Sequence, residues 1–397
     1  MRICAVCQKI VRTGETVHPA CRKRNAYSSN LHRYISGLYR AHNVPCAMCQ
    51  QTGTPENPIT AHHVVFFIFI VSNVGGCLTP IGDPPLFLGY LQGIPFWWVA
   101  EHCWPIWAVG LGVLLAMFYL IDQSNYLRAP KRVREKLAEP HDVWRFEGLA
   151  NLFYLAVILG AVFIHDPPFL REIVMVAAAA GSYFTTCESV HQANRFNFRP
   201  IQEVAILFAG IFATMMPALD WLRVNAATLG NPTPALFYWS SGALSSVLDN
   251  APTYLSFLNA SFGAFVDPDV VKQVQHLVQT QGADLASITG PHAEHIQLTF
   301  AALRRYHEAD LLNKTVTETE IAICFLLGNL AYHKYILAIS VGAVFFGANT
   351  YIGNGPNFMV RTIAEHSGVP MPSFFGYLLY SLGVLLPILL LNSWLML

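Results

Sequence analysis

Two stretches of the sequence that lie far apart repeat one another. Thr79-Pro-Ile-Gly-Asp83-Pro-Pro-Leu-Phe87 and Thr350-Tyr-Ile-Gly-Asn354-Gly-Pro-Asn357-Phe358 share the pattern T-x-I-G-[D/N]-x-P-x-F. Each follows an apolar run and a cluster of small residues, Asn73-Val-Gly-Gly76 before the first and Gly347-Ala-Asn349 before the second. A third stretch, Ser245-Ser-Val-Leu-Asp249-Asn250-Ala-Pro-Thr253, again sets Asp and Asn beside Pro and Thr inside apolar sequence. Carboxylate, amide, hydroxyl and backbone carbonyl oxygens are hard ligands and suit Na⁺, by extension from the rules for hard cations. A carboxyl removed from water favours its neutral form, so Asp83 and Asp249 could exchange a proton for a cation. The helix ends beside them could instead hold a substrate carboxylate on backbone amides. The candidate ion- or substrate-binding residues are Asn73, Thr79, Asp83, Asp249, Asn250, Thr253, Asn349, Thr350, Asn354 and Asn357. Two plainer readings compete: the aspartates as helix caps and the asparagines as turn residues. Glu203, at the edge of an apolar run, reads as a membrane-surface residue. No catalytic group is expected.

The elements that must carry these residues are membrane helices. The chain is 54% hydrophobic and 12% charged over 397 residues, whereas soluble domains carry about a quarter charged residues. An ordinary cytosolic enzyme is excluded on that ground. A span needs about 20 predominantly apolar residues, and uncharged runs such as 102–121, 226–248, 335–360 and 366–397 reach or approach that length. Runs at 64–82, 84–100, 148–164, 173–187, 204–219 and 250–266 bring the expectation to roughly nine to eleven membrane segments. Gly is a poor helix former, and Pro removes an N–H and clashes with the preceding turn, so the repeated motifs should break their helices. Lipid cannot satisfy the freed backbone groups; a substrate, an ion or water can. Paired interruptions in two halves of a chain are the sequence pointer to a transport site. The fold class is therefore an all-α polytopic membrane protein. The loop 124–145 is rich in Lys and Arg and is expected on the cytoplasmic side. Residues 267–320 read as a polar helical hairpin there.

The first 62 residues differ in composition. They hold eight of the 24 Lys and Arg, two acids (Glu15 and Glu56) and five of the nine cysteines. Cys4, Cys7, His18 and Cys21, with Cys46 and Cys49, have the pair spacings of a Zn²⁺ site. Disulfides are disfavoured, because no signal peptide is expected ahead of this segment. The run Cys46 to Val64, a CxxC pair before His62-His63, resembles the start of an HNH endonuclease. The later Asn, His and second CxxC of such a motif do not follow; the chain enters FFIFIVSNVGG instead. Nuclease chemistry and nucleic-acid binding are therefore not expected. The basic charge also suits anchoring on the cytoplasmic face.

The stretches SNVGGCLTPIGDPPLFLGYLQGIPFWW (72–98), SSVLDNAPTYLSFL (245–258) and GANTYIGNGPNFMVRTIAEHSGVPMPSFFGYLLY (347–380) resemble the ion-transporter superfamily. Its members include NhaD-type sodium/proton antiporters and citrate and arsenite carriers, and the likeness is nearest to the branch also labelled citrate transporter. It covers about residues 64–397. The resemblance implies two inverted repeats, each with a re-entrant hairpin and a broken helix meeting at the midplane. It also implies a counterpart of 245–253 ahead of Val64. Residues 1–62 hold none, so the first repeat reads as truncated, and the chain as a truncated nuclease-like start fused at about His63 to a membrane transporter domain over 63–397.

The leading functional expectation is Na⁺/H⁺ antiport across the inner (cytoplasmic) membrane, with Asp83 and Asp249 alternating between protonated and cation-bound states. The rival within transport is a carrier of citrate or another carboxylate. No Arg lies within the broken segments to clamp a carboxylate; Arg361 follows the second motif. Readings from other classes are a zinc-binding nuclease-like remnant and an inactive transporter fragment. Expected partners are membrane lipid, Na⁺ and H⁺ or a small carboxylate, and a second copy of the chain. No cofactor is expected beyond Zn²⁺ at the N-terminus.

Overall fold

The computed structural model describes residues 2–3, 10–11, 60–128, 150–164, 167, 169–188, 191, 198–230, 232–366 and 368–396. In chain order the elements are a two-residue antiparallel pair, β1 (Arg2–Ile3) with β2 (Ile10–Val11), and then helices. These are α1 (Ala61–Ile70), α2 (Pro84–Leu91), α3 (Phe96–Arg128), α4 (Ala150–Ala161), α5 (Leu170–Thr185), α6 (Arg199–Asn225), α7 (Pro234–Ser245) and α8 (Asn250–Phe265). There follow α9 (Pro268–Gln279), α10 (Ala293–Tyr306), α11 (Glu308–Asn313), α12 (Glu318–Gly328), α13 (His333–Gly347), α14 (Gly355–His366), α15 (Phe374–Tyr380) and α16 (Leu386–Met396). The chain divides into two units, residues 1–59 with 120–204 and residues 60–119 with 205–397.

In the first unit, α4 and α5 pack as a hairpin. Asn151 ties it: its Oδ1 accepts from Ser182 Oγ and Thr186 Oγ1, both at 2.9 Å. Gly181 lies against the Tyr154 ring, leaving no room for a Cβ there. Leu152, Phe153, Ile173, Val176 and Phe184 are exposed, as lipid-facing side chains are.

The second unit is built around α13, in which every residue from Tyr335 to Gly347 is buried. Small residues let α7 approach it closely, as helices in membranes require. Gly242 sits under the Phe346 ring, and Gly342 faces Ser241 Oγ and the Tyr238 carbonyl. The stretch 267–320 holds α9 and α10. Both are amphipathic; Val270, Val274 and Leu277 on one and Ile296, Phe300 and Leu303 on the other are buried. α12 begins on a capping box, in which Glu320 N bonds Thr317 Oγ1 and Glu320 Oε2 bonds Thr317 N.

Among the described residues, several of the apolar runs are divided between shorter helices. Among the described residues, three helical stretches have the length and composition to cross a membrane: 61–78, 96–128 and 374–396. A fourth arises if α12 and α13, bent by 102° at residues 329–332, count as one broken span. The physical reason is interruption. α7 has 12 residues and α13 has 15, or about 18 and 23 Å of helix at 1.5 Å per residue, short of the roughly 30 Å hydrocarbon core.

Candidate transport site

The two repeated motifs fold alike. In the first, α1 passes into a short 3₁₀ turn at Val74–Leu78, and the chain then turns to start α2 at Pro84. In the second, α13 ends at Gly347 and α14 starts at Gly355. Each loop closes on a glycine pair six residues apart. A Cβ on Gly76 would stand 2.6 Å from the Gly82 carbonyl oxygen, and a Cβ on Gly353 2.6 Å from that of Gly347. Only a residue without Cβ permits that approach. At the matched tips Ile81 and Ile352 are exposed, while Asp83 and Asn354, two residues on, are buried.

Five of the ten candidate residues share one buried hydrogen-bond network. Asp83 Oδ2 accepts from Asn250 Nδ2 at 3.0 Å, and Asp83 Oδ1 from Asn354 Nδ2 at 3.4 Å. Asn354 Nδ2 also reaches Asn73 Oδ1 at 3.0 Å and the Ser72 carbonyl at 3.2 Å. Asn73 Nδ2 donates to Asn357 Oδ1 at 2.7 Å and to the Ile68 carbonyl at 2.8 Å. Asp83 stands at the N-cap of α2, yet its side chain makes no capping bond. It turns instead to Asn250, at the first residue of α8, and to Asn354, just before α14. Three helix N-termini thus meet at one carboxylate, and their dipoles favour negative charge there. Asn250 Oδ1 is buried and, among the described residues, accepts no hydrogen bond. A buried acceptor without a partner is costly, and this one belongs to the side chain whose Nδ2 bonds Asp83.

The other five candidates lie around this network. Asp249 is a helix cap: its Oδ1 accepts from Ala251 N at 3.2 Å. Thr253 Oγ1 returns to the Asp249 carbonyl within the first turn of α8. Thr350 Oγ1 donates to the Ser246 carbonyl at 2.6 Å and accepts from Gly353 N at 3.0 Å, and Asn349 Nδ2 donates to Ser246 Oγ at 2.9 Å. These two pin the second loop to the end of α7. Thr79 closes its own turn through its carbonyl, which accepts from Gly82 N at 2.9 Å; among the described residues no hydrogen bond links its hydroxyl to the network.

Asn357 of the motif and two residues beyond it complete the second loop. Broken backbone at membrane depth must find partners for its carbonyls. That of Gly347 accepts from Asn357 Nδ2, that of Ala348 from Tyr377 OH and that of Asn349 from Ser381 Oγ, at 2.7–2.8 Å. Tyr377 lies in α15, and Ser381 opens the π-helical turn Ser381–Leu385 that follows it. Such a bulge inside an apolar run often marks a functional position, but nothing in the spacing of Tyr377 and Ser381 points to it. The sequence signal was the demand itself: a broken loop needs donors, and hydroxyls in the next apolar run are the nearest supply. Arg361 is engaged elsewhere, over the Tyr351 ring at 4.6 Å and on Glu365 at 2.9 Å.

Residues 55–397 match the model of a protein family described as "Putative citrate transport". The chain belongs to this family. It is thus a member of a transporter family, and its broken helices and spanning-length apolar helices are those of a membrane protein. No curated protein and no solved structure matches the chain. The family match opens at Pro55, ahead of Val64, so His62 and His63 of the nuclease-like run lie inside it. The proposed zinc ligands Cys4, Cys7, His18, Cys21, Cys46 and Cys49 lie outside the described residues.

Proposed function

We propose that the chain carries a small carboxylate, citrate or a close chemical relative, across a membrane, and that a cation on Asp83 couples the movement. The observation that carries this reading is the meeting of the N-termini of α2, α8 and α14 at the buried Asp83 carboxylate, in a member of the citrate-transport family. Those N-termini and the amides of Asn250 and Asn354 are donors suited to a carboxylate. Asp83 occupies them while it is ionised. A second anion about 4 Å away would be opposed by about 4 kcal/mol at an effective dielectric of 20, on the order of a thousandfold in affinity. A cation held by Asp83 and Asn250 Oδ1 removes that opposition. Substrate therefore binds after the cation and leaves with it, which is the logic of coupled symport. With Arg361 tied to Tyr351 and Glu365, the substrate relies on amide donors.

Reconstituted vesicles with radiolabelled citrate outside test the reading. An inward Na⁺ or H⁺ gradient should drive accumulation, and no accumulation with either would sink it. Na⁺/H⁺ antiport is the second reading, favoured by the unpartnered Asn250 Oδ1 beside Asp83. It requires Na⁺-driven proton flux without any organic acid. That flux, with no citrate uptake, would replace the carrier reading.

A further inference from the structure

Outside the network around Asp83, the second unit gathers a histidine and two carboxylates at the foot of the polar hairpin. His307, between α10 and α11, presents Nδ1 to Asp310 Oδ2 and to Glu320 Oε1, each at 3.8 Å. The three ligand atoms lie within 4.8 Å of one another. The other polar atom of each side chain is already engaged. His307 Nε2 lies 2.9 Å from the Gly93 carbonyl. Since a carbonyl only accepts, Nε2 carries the hydrogen, which leaves Nδ1 as the ring nitrogen that can bind an ion. Glu320 Oε2 accepts from Thr317 N at 2.7 Å and from Thr317 Oγ1 at 2.9 Å. Asp310 Oδ1 accepts from Thr315 Oγ1 at 3.3 Å.

The geometry points to a divalent transition-metal site, of the Zn²⁺ or Co²⁺ class, formed by His307 Nδ1, Asp310 Oδ2 and Glu320 Oε1. A ring nitrogen and two carboxylate oxygens facing one another are three electron-pair donors, the set that a cation between them would hold together. A separation of 3.8 Å is too long for an N–H···O hydrogen bond. It suits two ligands held at about 2.0–2.2 Å on opposite flanks of one ion. An imidazole that gives its second N–H to a backbone carbonyl is the usual outer support of a metal-bound histidine. That support comes from a separate element, the turn after α2. Gly93 takes φ +109°, and a Cβ there would meet Glu320 Cγ at 2.8 Å, so this one glycine both aims His307 and leaves room for Glu320. The bound ion would brace three parts: the α10–α11 junction, the N-terminus of α12 and the C-terminal end of α2. The other end of α2 is at Asp83.

The test is titration of the purified full-length chain in detergent with Co²⁺, followed by absorption. The inference predicts one ion per chain on nitrogen and oxygen ligands, showing d–d bands without thiolate-to-cobalt charge transfer, which separates it from any cysteine site. His307→Ala and Glu320→Gln should each weaken this ion by tenfold or more, and Zn²⁺ should raise the melting temperature of the wild type but not of the variants. Gln at 320 can keep the capping bonds, so that variant folds if the site alone is affected. Gly93→Ala should weaken the ion as a positioning change. Absence of such a nitrogen–oxygen site in the wild type, or unchanged affinity in Glu320→Gln, would overturn the inference and leave a proton to fill the gap between Nδ1 and the carboxylates.

Discussion

At the scale of single residues, Asp83 and Asn250 carry the account. Asp83 declines the capping role its position offers and bonds Asn250 and Asn354 across two other helix starts. Asp249, of the same residue type and in a similar motif, caps its own helix. The sequence marked both equally, because a carboxylate before Pro or Asn-Ala-Pro reads the same until the loop geometry aims it. Asn250→Ala removes the unpartnered Oδ1 together with the Nδ2 bond to Asp83 Oδ2, and keeps the Asp83 carboxylate and its bond from Asn354. The lost ligand, about 0.5–1.5 kcal/mol, should raise the coupling-cation concentration for half-maximal uptake by about two- to tenfold, with citrate accumulation still measurable at saturating cation. Unchanged cation dependence would remove Asn250 from the site. Asn73, Asn354 and Asn357 were singled out in the sequence as candidates with a turn role equally open. In the structure they bind one another as well as the backbone.

At the scale of elements, the paired loops hold the site, and their glycines hold the loops. Gly353→Ala would drive a Cβ to within 2.6 Å of the Gly347 carbonyl oxygen and 2.7 Å of the Ser245 carbonyl oxygen. Backbone cannot swing aside as a side-chain tip can, so overpacking of about 1–3 kcal/mol is expected, seen as a lower melting temperature and little transport. Gly355→Ala, two residues on, meets nothing within 4 Å and should behave as wild type. Equal behaviour of the two variants would contradict the loop-closure account. Thr350→Val removes the hydroxyl that serves the Ser246 carbonyl and Gly353 N. Leaving those groups without a partner should cost about 1–3 kcal/mol, checked by thermal unfolding in detergent. The interruptions at the repeated motifs and at 246–249 were legible, because Pro, Gly and Asn sit where a helix would continue. The bend at 329–332 was not. Asn329 caps it through Ala331 N at 2.8 Å, but 321–334 is not among the apolar runs read from the sequence, so no break is expected there.

At the scale of the whole molecule, composition predicted a helical membrane protein, and the family match agrees over residues 55–397. Hydropathy sums along a run and does not see that a run such as 335–360 is divided between two half-length helices, α13 and α14. The same blindness hid the donors from α15 and the π-helical turn, which lie remote in sequence from the loop they complete. What the second unit assembles is a buried carboxylate at three helix starts, with an open acceptor beside it. If the chain is the cation-coupled carrier proposed above, cation and substrate occupancy are linked through that carboxylate. The most direct measurement is citrate affinity of the purified protein by calorimetry, with and without the coupling cation, in wild type and in Asp83→Asn. The account predicts that the wild type binds citrate at least a hundredfold more tightly when the cation is present. It predicts that Asp83→Asn, neutral at that position, binds citrate with no dependence on the cation. Cation-dependent binding that survives in Asp83→Asn would contradict the assignment of the coupling site to Asp83.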